Sequence, residues 1–543
     1  MSPLRPSPPR SLPLAKLSDL LADATVVGPR GDSAVVTGVT LDSRAVLPGD
    51  LYAALPGART HGAKFAGQAV AAGAVAILTD PTGVDLLARA SVPVLVVADP
   101  RAALGAVSAL IYGEGAQQLA VVGLTGTNGK TTTAYLIHSA LTALGHPAGL
   151  IGTVETRIAD ETVASIRTTP EAPDVHALLA VMAQRGLDFC VMEVSSHALR
   201  QHRVDGIRYA VAAFTNLSQD HLDFHADMED YFAAKAELFT PARAARALVC
   251  VDDAWGRRLA AQVARDEAVP LTTVTTRPDV AADWTARVAD NDPSRFTLTG
   301  RGLDGAPVEL ALASALPGDF NIANTALASV VLLLLGLSPA SVAAAILTDP
   351  HVPGRMEVVA SAPGDQEAPR VVVDYAHSPE AIRAALRALR PTTPGRLVVV
   401  TGAGGDRDRD KREAMGAAAA EFADLVVVTD DNPRSEDPAL IRAAVRAGAQ
   451  GTARARDSRV AILEVGDRAE AIRAAVAAAR AAGPGATVAV LGKGHERGQE
   501  IAGQVHPFDD RVEARAALDA TIAAPLAADT TAAGIATDGE DPA

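Results

Sequence analysis

At 543 residues the chain is too long for one hydrophobic core, and at about 150 residues per domain it holds several. Hydrophobic residues make up 48% and aromatic ones only 3%, which excludes a disordered or fibrous chain and predicts soluble domains with aliphatic cores. A formal charge of −15 excludes a surface dominated by basic residues, and with it nonspecific attachment to nucleic acid or insertion at an anionic membrane; an anionic ligand has to be held by local Arg, Lys and backbone N–H groups.

The first thirteen residues, "MSPLRPSPPRSLP", carry five prolines and no apolar run, so residues 1–28 are predicted to be a disordered extension and not a signal peptide. Short β-rich runs ("AVVTGVTL", "VAILT", "VPVLVVAD") then alternate with Ala-rich stretches, which predicts a small α/β domain over 29–116. "QLAVVGLTG" opens a second region, and "DFCVMEVSS", "YAVAAFTNL" and "RALVCVDD" continue its alternation; a doubly wound, mainly parallel sheet is predicted over 117–349. Within it "ASVVLLLLGL" is too short to span a bilayer and reads as a buried helix. Pro and Gly in "PHVPGRMEVV" mark the start of a third, Rossmann-like α/β domain over 350–522. Its strands end in "DYAHSP", "TGAGG", "TDDNPR" and "GKGHE", and ligands of open α/β sheets collect at such carboxyl ends. Residues 523–543 are Ala, Thr, Asp and Gly and are predicted to be a flexible tail. The two cysteines, Cys190 and Cys250, allow at most one disulfide, and Cys190 sits in an apolar strand; a reduced cytoplasm is the expected setting.

The chemistry starts at "AVVGLTGTNGKTTT". A strand, a glycine turn and a helix with an apolar stripe form the setting of a phosphate loop: Gly126 and Gly129 let N–H groups turn inward, the helix start adds partial positive charge, and Lys130 adds a full one. Thr127 and Asn128 lie on the turn, and Thr131 or Thr132 offers a hydroxyl to Mg²⁺. The usual first glycine is replaced by Leu124. Such a loop serves switches as well as enzymes.

Glu193 ends "FCVMEV", where a carboxylate is placed either for Mg²⁺ or as an ordinary strand-end acid. "TNLSQDHLDFH" groups Asp220, His221, Asp223 and His225; the i, i+4 histidines invite zinc, but no HExxH pattern or further ligand cluster accompanies them. Lys235, in "DYFAAKAELF", taken alone reads as a snorkelling lysine. "TGAGGDR" is not a dinucleotide fingerprint, because Arg407 stands where the last glycine belongs.

Taken together, "GTNGKT", "TTP", "EVSSHAL", "HRV", "TNLSQDHLDFH", "YFAAK", "FNIANTALA", "PGRMEVV" and "DYAHSP" resemble, in this order, the Mur ligase family over roughly residues 35–515. The resemblance implies an ATP-dependent, ADP-forming amide ligase: a carboxylate takes the γ-phosphate to give an acyl phosphate, which an amine displaces. It implies catalytic roles for Lys130, Glu193, His221 and Lys235. ATP would be held by Gly126 to Thr132 with Asn324, Arg355, Asp374 and His377. Two Mg²⁺ ions would be held by Thr131, Glu193 and a CO₂-derived carbamate on Lys235, whose apolar surroundings favour the neutral amine that carbamylation requires.

In that family "DNPR" marks members that add meso-diaminopimelate to UDP-N-acetylmuramoyl-L-alanyl-D-glutamate during synthesis of peptidoglycan precursors. Diaminopimelate differs from lysine by a second carboxylate, which suits the planar fork of Arg434. Alone, "DNPR" reads equally as a turn before a helix. The resemblance places Arg407, Asp431, Asn432, Pro433, Arg434, Gly492 and Glu496 around the amino acid. It places Leu41, Ser43, Thr168, Thr169, Ser195, Gln201 and Arg203 around the nucleotide substrate, and implies a cytoplasmic monomer. "PGARTHGAKF" departs from the family's commoner Asp-Gly-His wording. The alternatives are the same ligase acting on L-lysine or LL-diaminopimelate, a folylpolyglutamate synthetase, and a nucleotide-dependent switch.

Overall fold

The computed structural model describes residues 4–523 except 22, 30–33, 58, 88–90, 114, 363–364 and 366. The chain forms two compact units, one over Met1–Met356 with short pieces at 387–389 and 407–409, the other over the rest from Glu357 onward.

The first unit contains two main sheets and one two-stranded pairing. The smaller has five strands: Gly38–Thr40, Asp50–Ala53, Ala76–Thr79 and Val94–Val96 run parallel, and Thr25–Val27 closes the edge antiparallel. The larger has eleven. Its parallel centre orders Ala148–Ile151, Phe189–Glu193, Ala120–Thr125, Val211–Phe214, Ala247–Cys250, Leu271–Thr275 and Trp284–Ala289. Strands such as "AVVGLT" and "ALVC" are buried along nearly their whole length, as strands covered by helices on both faces must be. Antiparallel pairs finish both edges: Glu155–Ile158 with Glu161–Ala164, and Asp292–Arg301 with Pro307–Ala313.

The apolar run at 328–337 lies mostly on helix Asp319–Leu334, where Ala328, Val330, Val331 and Leu332 are fully buried beside Ile137 and Leu141 of the helix after the phosphate loop. Among the described residues no helix is long and apolar enough to cross a membrane.

The second unit carries a six-stranded sheet, with Arg370–Asp374, Thr487–Leu491, Leu397–Thr401, Leu425–Val428 and Ala461–Glu464 parallel and Glu357–Val359 antiparallel at one edge. All four strand exits singled out in the sequence therefore belong to one sheet. The boundary falls later than Pro350, because Val352 and Met356 are buried within the first unit.

The expectation of disorder over 1–28 is corrected. Leu12–Pro13 pairs antiparallel with Val35–Val36, helix Leu14–Leu20 follows, and Leu12, Leu14 and Leu17 are buried with Leu51 and Leu78. The prolines mark the approach to this helix, and three leucines outweigh them once a sheet is there to receive them. Arg5 is drawn in too, its Nη2 donating to Asp50 Oδ2 at 2.9 Å. Residues 1–3 of that extension and 524–543 of the expected tail lie outside the described residues.

Candidate active site

Strand Ala120–Thr125 ends in the turn 126–129, and helix Lys130–Ala143 starts from it. Gly126 (φ +145°) and Gly129 (φ +85°) have backbones that side chains rarely adopt. Space forbids a side chain as well: a Cβ would lie 1.9 Å from Thr215 Oγ1 at position 126 and 2.3 Å from Asn324 Oδ1 at position 129. The end of the neighbouring strand braces the turn. Thr215 Oγ1 donates to Asn128 O (2.6 Å), Asn128 N donates to Asn216 Oδ1 (2.9 Å), and Ser218 N donates to Thr127 Oγ1 (3.0 Å). The Thr-Asn-x-Ser of "TNLSQD" thus holds the phosphate loop in shape, a role the sequence did not disclose.

Two lysines converge on one carbonyl. Lys130 Nζ donates to Gly126 O and Thr127 O, both at 2.8 Å, and Lys235 Nζ donates to the same Gly126 O at 2.8 Å. Lys235 sits on helix Met228–Ala236, capped by Asp227, with its nitrogen 4.5 Å from the centre of the Tyr231 ring one turn earlier. It does not snorkel, being 1% exposed. Burial holds its amine well below the ordinary lysine range, Lys130 pushes the same way, and Asp220 opposes both. Burial also lowers Lys130, against the pull of Glu193 and Asp220.

Glu193 is fully buried at its strand end and accepts from Thr131 Oγ1 (2.9 Å), Thr153 N (2.8 Å) and Thr153 Oγ1 (3.0 Å). Arg355 Nη2 reaches the Thr131 hydroxyl at 3.3 Å. Asn324 is buried beside the turn and accepts from Thr133 Oγ1 at 3.4 Å. The first unit therefore brings Lys130, Thr131, Glu193, Lys235, Asn324 and Arg355 to one strand-end region. The donor set fits a hard cation, with a hydroxyl and a carboxylate oxygen in contact and, nearby, an amine whose charged form burial disfavours.

His221 takes a left-handed backbone (φ +55°), and burial pushes its imidazole down to about 4, with Asp220 opposing and His197, Lys130 and Lys235 adding to the shift. His197, stacked on Phe224 at 4.0 Å, is likewise pushed down to about 4, chiefly by burial. Both are neutral at neutral pH. His225 engages both ring nitrogens, with Asp230 Oδ2 and Ser196 Oγ, each at 2.9 Å. Among the described residues no group of three or more His, Cys, Asp or Glu is arranged to hold a metal.

Most of the residues expected at the nucleotide substrate form one network with Glu193. Thr169 Oγ1 donates to Glu193 O (2.8 Å), Ser195 N donates to Thr169 Oγ1 (3.1 Å), and Thr168 Oγ1 lies 3.1 Å from Thr153 Oγ1, whose own proton goes to Glu193. Arg203 donates to Gln201 Oε1 (2.6 Å) and to Thr169 O (3.2 Å), and pairs with Glu171 at 3.1 Å. Glu171 also receives Arg101 and Arg167. Ser43 lies in the small sheet's domain, buried, with Oγ 3.4 Å from Gln68 Oε1, and Leu41 is partly buried just before it. In the divergent segment 56–65, His61 pairs with Asp80 at 2.9 Å and its Nδ1 accepts from Ala63 N.

In the second unit Asp374 ends its strand and accepts from Ala376 N at 2.9 Å, while His377 Nδ1 donates to Tyr375 O at 2.8 Å. Asp431 and Asn432 are buried after strand Leu425–Val428. Asn432 Nδ2 donates to Glu496 Oε2 at 2.8 Å. Gly492 (φ +120°) lies where a Cβ would come 2.4 Å from Asp431 Oδ2. Arg434, after Pro433, has a left-handed backbone (φ +52°), locked by Arg434 N donating to Glu500 O (3.0 Å) and Ala502 N donating to Arg434 O (2.7 Å). The Arg434 guanidinium donates to Gly405 O (2.6 Å) and pairs with Glu500 at 3.3 Å. Arg407 is exposed and is grouped with the first unit, not with this network. Lys493, Gln499 and Arg468 also support these residues; one lysine between two motif residues and two remote side chains gave no separate signal.

Three family descriptions match consecutive parts of the chain: Mur ligase family, catalytic domain (35–112), Mur ligase middle domain (124–332), and Mur ligase, glutamate ligase domain (354–494). The chain is 51% identical over 522 residues, 95% of its length and 99% of the relative's, to a UDP-N-acetylmuramoyl-L-alanyl-D-glutamate--2,6-diaminopimelate ligase of Streptomyces coelicolor. It is 48% identical over 492 residues to the protein of the same name from Corynebacterium glutamicum, covering 89% of this chain and 92% of that one. A solved structure of a ligase of that name superposes with a TM-score of 0.64 at 30% identity, covering 94% of this chain and all of the other.

Proposed function

The chain belongs to the Mur ligase family, and from that membership we propose that it joins meso-diaminopimelate to the D-glutamate side-chain carboxyl of UDP-N-acetylmuramoyl-L-alanyl-D-glutamate, with cleavage of ATP to ADP and phosphate. The observation that carries the reading is the pair of lysines on Gly126 O, because a phosphate loop used only as a switch has no need of a second, fully buried amine at its turn.

The chain's own groups divide the work. Backbone N–H groups of the turn and Lys130 hold the ATP phosphates, and Lys130 stays with the γ-phosphoryl charge as it moves. Thr131 and Glu193 would hold one Mg²⁺ and the carbamylated Lys235 a second. When bound, these ions shield the substrate carboxylate from the γ-phosphate, so that two anions can meet. The neutral Lys235 amine forms the carbamate by attacking CO₂ through its lone pair, with one proton released to solvent. Thr168, Thr169, Ser195, Gln201 and Arg203 orient the muramoyl-dipeptide so that its carboxylate faces the phosphate loop. In the first unit Asn324 and Arg355 hold the nucleotide, and Leu41 and Ser43 the uridine side of the other substrate; in the second unit Asp374 and His377 are the residues that family membership assigns to the nucleotide. Asp431, Asn432, Arg434, Gly492 and Glu496 receive the diamino acid, and its free amine displaces phosphate from the acyl phosphate to form the amide. A cytoplasmic setting is consistent with two buried free thiols.

Phosphate release with a panel of amino acids tests the reading. Phosphate should appear only with ATP, the nucleotide-dipeptide and diaminopimelate together, and ¹⁸O placed in the dipeptide side-chain carboxyl should enter the released phosphate. Brisk ATP turnover without the amine, or no label transfer, refutes it. Arg434→Ala should erase the preference for diaminopimelate over lysine.

A further inference from the structure

Behind the amino-acid residues of the second unit lies a lysine that the reaction above leaves unused. Lys493 is fully buried, and its Nζ donates to Asn432 Oδ1 and to Glu496 Oε2, each at 3.0 Å. Asn432 Oδ1 also accepts from the backbone N–H of Glu500 at 3.0 Å, and Asn432 Nδ2 donates to Glu496 Oε2 at 2.8 Å. An ammonium and a backbone N–H only donate, and a carboxylate only accepts, so these neighbours fix which end of the Asn432 amide is oxygen. The oxygen is engaged twice, which leaves an N–H as the group Asn432 has to offer. Glu496 is held through one oxygen, Oε2, and its side chain is 32% exposed while that of Lys493 is 0% exposed.

The charges around this lysine point the same way. Arg468 is fully buried and donates through Nε and Nη2 to Asp510 at 2.7 and 2.8 Å, and through Nη2 to Leu491 O at 3.0 Å. Asp431 and Glu496 both act on Arg468 through space. By formal charge, Lys493 and Arg468 face Asp431, Glu496 and Asp510, an excess of one negative charge. Such a site favours a ligand ammonium.

Resting on the reading above, we infer that Lys493 is a positioning residue of the amino-acid site. It ties Glu496 Oε2 and Asn432 Oδ1 from behind, so that Glu496 presents Oε1 to the distal ammonium of the diamino acid and Asn432 presents an N–H to the neighbouring carboxylate. An ammonium and a carboxylate on one carbon are what the far end of diaminopimelate has and lysine lacks. Without Lys493 Glu496 is free to turn away, Asn432 Oδ1 keeps only the Glu500 N–H, and the match to that end is weakened.

The test uses the full chain with Lys493→Met, Glu496→Gln and the double variant, measuring KM for diaminopimelate, ATP and the nucleotide-dipeptide by phosphate release, with melting temperature alongside. Loss of a charged hydrogen bond predicts that Lys493→Met raises KM for diaminopimelate by about ten- to a hundredfold. The other two KM values should stay within about twofold, and in the Glu496→Gln background the lysine change should add less than about threefold, because its effect passes through Glu496. Equal rises in all three KM values, or full additivity in the double variant, overturn the inference. Lys493→Gln repeats the measurement where the Met variant does not fold, and loss of folding in both assigns the lysine a purely structural role and overturns it too. If the unaltered enzyme prefers another amine, the diaminopimelate reading fails on that result alone. A selective rise in KM for the preferred amine would still support the lysine's role.

Discussion

Replacing Lys235 with alanine probes the proposed chemistry most directly. Its nitrogen and that of Lys130 each lie 2.8 Å from Gly126 O, so they are at most about 5.6 Å apart. Two unit charges at that distance interact by about 3 kcal/mol at an effective dielectric constant of about 20. A charged Lys235 would bear that repulsion in addition to the cost of burial, and both favour the neutral amine. Adding CO₂ reverses the sign: an anion there attracts Lys130 with comparable strength and balances the cations that phosphoryl transfer requires. Lys235→Ala removes that anion, and a loss of about 3 kcal/mol predicts kcat lower by about a hundredfold or more. The KM for diaminopimelate should change little, since the amino-acid residues belong to the second unit. Acetate or propionate, small enough for the space vacated beside Tyr231, should restore part of the rate, and CO₂-depleted buffer should slow the unaltered enzyme but not the variant. Phosphate release over a series of carboxylic acids, with melting temperature as the control for folding, reads all of this. Full activity in the alanine variant refutes the carbamate, as does a loss that no acid relieves in a variant that melts normally.

Glu193→Gln keeps the shape of the side chain but removes the charge on which two hydroxyls and one N–H converge, so it should lower kcat by about two to three orders of magnitude and raise the Mg²⁺ concentration for half-maximal rate; an unchanged Mg²⁺ titration would exclude it as a ligand. Gly129→Ala needs φ +85° and a Cβ 2.3 Å from Asn324 Oδ1, so ADP affinity by calorimetry should fall by at least about tenfold, and normal affinity would show that the turn adapts. His138 is buried and pushed down to about 4, mainly by burial and then by Arg157, so the fold keeps it neutral. Its folded value lies below the unfolded one near 6.5, so its contribution is present in full above about pH 6.5 and is lost as pH falls toward 4, up to about 3 kcal/mol. The urea midpoint should therefore drop less steeply over that window in His138→Gln than in the unaltered chain, and parallel curves would contradict this.

What the sequence disclosed and what it hid follow from different physics. The parallel strands were legible because burial on both faces demands unbroken apolar runs such as "LVVV" and "TVAVL". The edge pairs were not: Glu161–Ala164 and Asp292–Arg301 face water on part of their surface and carry too many polar residues to read as strands. The N-terminal helix was hidden by its prolines, although Leu14 and Leu17 already stood at helical spacing. In the site, Gly126, Gly129 and Lys130 were legible because a left-handed turn and a fixed cation before a helix leave few other residue choices. The partners that hold these groups in place were not. Thr153 reaches Glu193 across forty positions partly through its backbone N–H, a donor that every residue but proline has. Lys235 and Lys493 make the limit plain. Each is a lysine in a short motif, and packing sets one between Gly126 O and the Tyr231 ring and ties the other to an amide and a carboxylate. Residue type sets which chemistry a side chain can perform, whereas the neighbours brought by tertiary packing decide which of those chemistries it performs. Supporting residues are therefore found only when the donors and acceptors around a motif are counted in three dimensions.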